Sequence, residues 1–181
     1  MYNFSENEIK VLLKNLVIMV DTREQKNQHI IDYFDKAHVK YERTKLKSGD
    51  YSAYIYNTDE VKEILGFDRK LYFDDKIVIE RKNGVDELVS SIKDRVRFRE
   101  EFTRVKMSKA RIKLVVEDKD GYEKSLKGQY RSEYNNKAFF ASLKSFESEY
   151  NFDTTFIDKE LTGIEIFTSL HYFIRQQLKE M

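Results

Sequence analysis

The sequence predicts an α/β domain, a central sheet flanked by helices, and three observations carry that prediction. Apolar runs that end in charge recur at "LVIMVDTRE", "KIVIERK" and "RIKLVVED", the pattern of strands buried on both faces of a mixed or parallel sheet. Stretches of helical apolar spacing alternate with these runs, and such alternation is the order of an α/β fold. The chain has 181 residues, 40% of them hydrophobic and 14% aromatic, enough to bury one substantial core, so one domain over residues 1–181 is expected.

In chain order, Ser5 and Glu8 form a capping-box pattern, and Phe4 with Ile9 has the spacing of a hydrophobic staple. A short helix through about Lys14 follows from that start. "LVIMV" is the first buried strand, and its exit carries Asp21, Arg23 and Glu24. Residues 27 to 37 form a helix on Ile30, Ile31 and Phe34. "YERTKLKSGDYSAYIYN" reads as two extended pieces broken near Gly49, a residue suited to a bend or bulge.

Residues 58 to 76 read as a charged excursion between strands, and "KIVIERK" is the next strand. Val85, Leu88, Val89 and Ile92 then repeat at helical spacing, and Phe98, Phe102 and Val105 continue the pattern. After "RIKLVVED", the polar stretch "KDGYEKSLKGQYRSEYNN" lacks a clear period and reads as a mobile loop with three tyrosines. Those tyrosines, at 122, 130 and 134, serve either to stack on exposed bases or to pack the loop. A helix over about 135–150, a short strand at "TTFID" and an amphipathic helix from about Leu161 to Lys179 complete the order.

Composition excludes several function classes. There is no cysteine, so disulfide frameworks and cysteine-based zinc sites are out. His29, His38 and His171 lack metal-ligand spacing. The longest uninterrupted apolar stretch, Leu16 to Val20, is far too short to span a membrane, and the N-terminus lacks a secretory pattern. A soluble cytoplasmic protein without membrane attachment is the expectation.

Formal net charge is +1, from 33 Lys+Arg against 32 Asp+Glu, yet the charges are unevenly spread. Arg95, Arg97, Arg99, Arg104, Lys106, Lys109, Arg111 and Lys113 face two acids, Glu100 and Glu101, over the same stretch. A helix bearing them could follow a phosphate backbone, or be a solvated helix surface.

Acid collects at strand boundaries: Asp21 and Glu24 after the first strand, Asp50 beside Gly49, and Glu80 in the third. Magnesium is usually held by one or two carboxylates, with water and substrate phosphate completing the shell. Glu80 and Lys82 are two residues apart on a strand and so project to one face, while Arg81 projects to the other. The competing reading is a strand that ends in a solvated, charged turn.

These residues resemble the XPF-type nuclease domain of structure-specific DNA endonucleases, a branch of the restriction-endonuclease-like fold. The family signature, Gly-Asp and then Glu-Arg-Lys-x-x-x-Asp, reads here as Gly49-Asp50 and Glu80-Arg81-Lys82 with Asp86; its upstream Val-Asp-x-Arg-Glu reads Val20-Asp21-Thr22-Arg23-Glu24. "DELVSSIKDRVRFREEF" and "RIKLVVED" resemble the helix and strand that follow, and the likeness runs in order over residues 16 to 175. Family members often add a tandem helix-hairpin-helix domain, for which residues 1–181 leave no room, so the expectation is a compact stand-alone form of the kind met in bacteria and phages.

The resemblance implies a restriction-endonuclease-like mixed central sheet flanked by helices and a magnesium-dependent DNA endonuclease, with manganese able to substitute, acting in DNA repair or recombination on branched or flap-like substrates. It implies Asp50 and Glu80 as metal ligands, with Asp21 completing the cluster directly or through water. Lys82 is implied to orient the attacking water or stabilise charge on the phosphate. Arg23, Glu24, Arg81 and Asp86 form the rest of the catalytic set or an ion-pair network that supports it. Arg95, Arg97, Arg99, Arg104 and Lys106 are the expected nucleic-acid contacts. The alternatives are a catalytically silent DNA-binding partner of the same fold, although the acids such members lose are all present, or a nuclease for RNA or for a specific duplex sequence. A homodimer is also expected through the last helix, with Leu161, Ile164 and Phe167 in the core and Phe173 or Leu178 left for the second chain.

Overall fold

The computed structural model describes residues 4–181. Its strands are β1 (Leu16–Asp21), β2 (Tyr41–Thr44), β3 (Tyr51–Ile55), β4 (Leu71–Tyr72), β5 (Ile77–Lys82), β6 (Arg111–Val116) and β7 (Asp153–Phe156). They form one mixed sheet in the order β2-β1-β3-β5-β6-β7, with β4 paired to β3. β1 and β5 run antiparallel to β3 between them, while β5, β6 and β7 are mutually parallel. The helices are α1 (Glu6–Lys14), α2 (Gln28–Lys36), α3 (Asp59–Leu65), α4 (Val85–Lys93), α5 (Arg95–Ser108), α6 (Gly121–Lys127), α7 (Asn136–Tyr150) and α8 (Thr162–Glu180). This is the mixed, helix-flanked sheet expected.

Strand alternation sends successive side chains to opposite faces, and each face has its own core. Ile18, Val20, Tyr51, Ala53, Ile77, Ile79 and Val115 pack with α1, α2, α3 and α8 on one face. Val78, Ile112, Leu114 and Val116 pack with α4, α5 and α7 on the other. On that second face, the β1 and β3 half of the sheet carries only a small cluster of Val17, Met19, Leu46 and Tyr54.

An aromatic stack seats α5. Phe98 lies 4.2 Å from Phe102 and 4.8 Å from Phe146, and Phe102 lies 4.8 Å from Phe152, centroid to centroid. Such pairs add about 0.5–1.5 kcal/mol each beyond their buried area, so the helix is held in one rotational setting.

Four expectations need correction. The excursion over 58–76 contains α3, whose N-cap Thr58 accepts from the Val61 amide, and the short strand β4. The helical pattern from Val85 to Val105 is two helices, because Asp94 leaves helical geometry and its side chain caps α5 by accepting from the Arg97 amide. The polar stretch after β6 is an ordered helix and turn: Tyr130 and Tyr134 pack edge-on to Phe139, and the Tyr130 hydroxyl donates to the Tyr134 carbonyl at 2.8 Å. They pack the loop, while Tyr122 stays half exposed against Phe140 and Phe156.

The fourth correction concerns α8. Its core stripe is Ile166, Leu170, Ile174 and Leu178, which pack in the first core, whereas Leu161 and Ile164 are exposed. The helix carries more apolar positions than one stripe needs, so its rotation is set by the neighbours α1 and α2 rather than by its own pattern.

Candidate active site

Gly49 places the first acid. Its φ is +72°, and a Cβ there would come within 2.9 Å of Val78 Cβ and 3.2 Å of the Ile79 carbonyl. Positive φ and close backbone approach both require glycine. The following residue is thereby drawn against both neighbouring strands: the Asp50 amide donates to the Ile79 carbonyl at 2.8 Å, and the Asp21 amide donates to the Asp50 carbonyl at 2.8 Å.

Alternation does the rest. Val78 belongs to the second core, so Glu80 and Lys82 point to that face, while Arg81 follows Ile77 and Ile79 to the first. The Lys82 ammonium donates to Glu80 Oε1 at 2.7 Å. The Arg81 amide donates to Asp50 Oδ2 at 2.8 Å. Among the described residues, Asp50 Oδ1 and Glu80 Oε2 accept no hydrogen bond.

Burial pushes the Asp50 carboxyl up to about 7, assisted by the charges of Glu24 and Glu101 and opposed by the Arg81 amide and Lys82. Burial likewise raises Glu80 well above the ordinary carboxylate range, and the neighbouring Asp50 charge adds to it. Two buried carboxyls that repel one another attract either a proton or a cation. Burial pulls the Lys82 ammonium down, but the charges of Glu80, Glu101 and Asp50 outweigh it, so the ammonium is held above the ordinary lysine value.

Asp21 is buried at the end of β1, but both its oxygens are engaged. Oδ1 accepts from the Arg23 amide and Nε at 2.7 Å each, and Oδ2 accepts from Arg23 Nη2 at 2.9 Å and the Leu46 amide at 2.7 Å. Burial alone would raise its carboxyl; these bonds outweigh that and hold it below its ordinary value. Among the described residues no group of three or more Asp, Glu, His or Cys side chains is close enough to hold a metal ion. Asp50 and Glu80 thus each keep an open oxygen, while both oxygens of Asp21 are held by Arg23 and the Leu46 amide.

On the first face Arg81 is buried between two acids: Nη2 lies 2.8 Å from Glu24 Oε1 and Nη1 lies 2.7 Å from Glu117 Oε2. Glu117 Oε1 in turn meets His29 Nε2 at 2.5 Å. Asp86 is not part of either cluster. It is exposed on the first turn of α4, where it accepts from the Arg131 amide at 2.8 Å.

The basic residues of α5 divide between two sides of the helix. Arg95 and Arg99 lie over the Phe146 ring, at 5.6 and 5.7 Å, and Lys106 donates to the Glu149 carbonyl at 2.7 Å, so all three face α7. Arg97, Glu101 and Arg104 share the other side at helical spacing. Arg97 and Glu101 line a groove of about 270 Å³ with Lys82, Glu87, Ser90 and Asp94.

Glu101 is the site residue that sequence reasoning missed: its charge reaches Glu80, Lys82, Asp50 and Arg23. The signal was available in its helical register, four residues after Arg97 and beside the buried Phe98, Phe102 and Val105. Glu117 and His29 were missed as well, and Glu117 could have been placed by continuing the alternation of β6 past Val115.

The structure is similar to XPF from Aeropyrum pernix, with a TM-score of 0.63 and 18% identity, covering 88% of this chain and 65% of that one. It is similar to the same archaeal protein in complex with DNA, with a TM-score of 0.61 and 18% identity, covering 89% and 66%. The chain thus spans about two thirds of the length of these relatives. No curated protein matches the sequence. The ERCC4 domain model matches residues 20–170, which hold both acidic strand ends and every helix of the second face, and the chain belongs to that family.

Proposed function

We propose that this chain, as one domain over residues 1–181, is a divalent-metal-dependent endonuclease that hydrolyses phosphodiester bonds in branched or flap-like DNA. The observation that carries the reading is the placement of Asp50, Glu80 and Lys82 on one face of adjacent strands, with a carboxylate oxygen of each acid left without a partner and both carboxyls raised. The donor set fits magnesium, which takes hard oxygens from one or two carboxylates and keeps water and phosphate in its remaining positions; manganese accepts the same ligands. When bound, the ion polarises the phosphate and lowers the pKa of a coordinated water.

The chain's own residues do the remaining work. Asp50 and Glu80 supply oxygens, the Arg81 amide fixes the direction of the Asp50 carboxylate, and Lys82 presents an ammonium to the phosphate oxygens, where charge develops. Lys82 is paired with Glu80 at 2.7 Å on the face that the phosphate would approach, so its assigned task is electrostatic stabilisation. Arg97 and Arg104, on the side of α5 that borders the groove, are the phosphate contacts; Arg95, Arg99 and Lys106 are withdrawn to α7. Membership of the ERCC4 family supports nuclease chemistry, and the DNA complex of the archaeal relative supports DNA as the partner.

The test is incubation of the purified chain with labelled flap, fork, four-way, duplex and single-stranded DNA, and with RNA, in magnesium, manganese or chelator. Cutting of branched DNA that needs the metal, and that Asp50→Asn abolishes while binding persists, is the expected result. Binding without cutting under any metal would instead identify a silent partner of the same fold. No described helix is long and apolar enough to cross a membrane; a cytoplasmic location is part of the same proposal. A homodimer remains part of the proposal, its contact moved to the exposed Leu161 and Ile164 at the start of α8.

A further inference from the structure

A cleft lined by cations lies at the opposite end of the sheet from the proposed active-site groove. Lys76, Lys106, Lys109, Arg111 and Lys113 line a cleft of about 540 Å³, against one carboxylate, Asp153. The cleft opens where β5, β6 and β7 begin, between α5 and α7 on one side and Phe173 and Gln177 of α8 on the other. Its wall is apolar and firm: Tyr150, Phe152 and Ile112 are buried in the second core.

The five cations are not equivalent. Lys113 is committed to Glu165 and Ser169, Lys106 to the Glu149 carbonyl, and Lys76 lies 3.3 Å from Asp75. Lys109 and Arg111 are exposed and have no ion pair or hydrogen bond from their side chains among the described residues. Lys109 is the left-handed C-cap of α5, with φ 61°, which turns the chain sharply and brings it two residues before Arg111 on the strand that follows. Two cations without a partner thus line one concave, basic cleft. That is the electrostatic form of a site for phosphates.

Position relative to the active site selects the ligand. α5 runs from Asp94 and Arg97, beside Lys82, to Lys109 in the cleft. Its 14 residues span roughly 21 Å at about 1.5 Å per residue. One strand of a duplex advances one phosphate for about every 3.4 Å of its axis, so a duplex lying along this helix would meet its two ends roughly six nucleotides apart. We propose that the cleft at Lys109 and Arg111 is a second phosphate-binding site, which holds the backbone of a nucleic-acid strand some six nucleotides from the bond presented to Asp50 and Glu80. The inference rests on the nuclease reading for that spacing alone; phosphate binding at the cleft does not require the active site to be competent.

The experiment uses the full chain in chelator, where nothing is cut. Fluorescence anisotropy with labelled single-stranded and duplex oligonucleotides of 6 to 20 nucleotides is compared between the parent and Lys109→Glu/Arg111→Glu, across a salt series. The expected result is weakening of at least tenfold near 0.1 M salt and a salt dependence flatter by about one to two units of log-log slope, one per lost contact. Oligonucleotides too short to span both ends of α5 should lose this sensitivity. Lys109→Gln/Arg111→Gln, which removes charge without reversing it, repeats the test should the first variant melt early. Equal affinity and slope in parent and variants would overturn the proposal. So would a cleft that binds inorganic pyrophosphate or polyglutamate as tightly as oligonucleotide, since the ligand would then be a free phosphate or an acidic peptide. A chain that cuts nothing in magnesium but still binds through Lys109 and Arg111 would sink the nuclease reading and leave this one standing.

Discussion

Arg81 stands in sequence between Glu80 and Lys82 of the proposed active site, yet its side chain points to the other face of the sheet, and replacing it with methionine separates the two roles. The guanidinium is 3% exposed and sits between Glu24, 10% exposed, and Glu117, fully buried, at 2.8 and 2.7 Å. Arg81→Met keeps an unbranched apolar stem in the site of the arginine's and leaves both carboxylates without the guanidinium. Breaking a buried pair in this manner costs about 3–5 kcal/mol, chiefly because the surviving charges are unpaired. In a domain of this size about 2–4 °C of melting temperature corresponds to each kcal/mol, so the midpoint should fall by roughly 6–20 °C. Circular dichroism melts of parent and variant in chelator measure it. The triple variant Arg81→Met/Glu24→Gln/Glu117→Gln should recover a good part of the loss, because neutral amides no longer need the cation. A midpoint within about 2 °C of the parent, together with lost cutting or lost DNA affinity, would refute the reasoning and make Arg81 a residue of the reaction.

Lys82→Ala should lower cutting by about 10²–10³-fold, the usual cost of removing one charge stabiliser from a transition state, while calorimetry still detects metal binding; a metal affinity that falls as far as the rate would show that Lys82 instead holds the carboxylates in place. Metal affinity should depend on pH, since ligand carboxylates must be deprotonated and Asp50 keeps its proton up to about 7: affinity rises by about tenfold per pH unit for each proton displaced, and the Asp50 contribution levels off above its own value. Glu101→Gln removes one of the charges that raises Asp50, so it should move that part of the curve to lower pH, and an unmoved curve would detach Glu101 from the site. Light scattering over a dilution series should show a dimer that Leu161→Glu/Ile164→Glu converts to a 21.8 kDa monomer; a parent that is monomeric throughout the micromolar range ends the dimer proposal.

Where burial was two-sided or a local signal was complete, the sequence was sufficient. β1 and β5 are buried along their whole length and β6 over its last three residues, and each lies where its run predicts. The capping box at Ser5 and Glu8 is formed, with the Ser5 amide donating to Glu8 at 2.7 Å. α3 and α6 were illegible for a physical reason: at seven residues each, they are too short to be stable alone or to show a period, and exist because the folded protein packs against them. The break at Asp94 was legible as a slip in phase: Ile92 and Phe98, both core-facing, are six residues apart, which one continuous helix would not put on one face.

The charges crowded into β5 have an answer that neither a metal site nor a solvated turn supplies alone. Three consecutive charged residues, Glu80, Arg81 and Lys82, are all buried, a costly arrangement unless each is compensated. Alternation divides them. Glu80 and Lys82 compensate each other on the face where a cation and a phosphate can join them, and Arg81 is compensated by Glu24 and Glu117 behind the sheet. The two systems meet in the main chain, because the amide that orients the Asp50 carboxylate belongs to Arg81. An ion pair on one face thereby fixes the direction of an acid on the other, with no side-chain contact between them. Glu117 and His29 acquire their bearing on the proposed site by this route. Substitutions there should disturb the reaction through the position of Asp50, in proportion to how far they loosen Arg81.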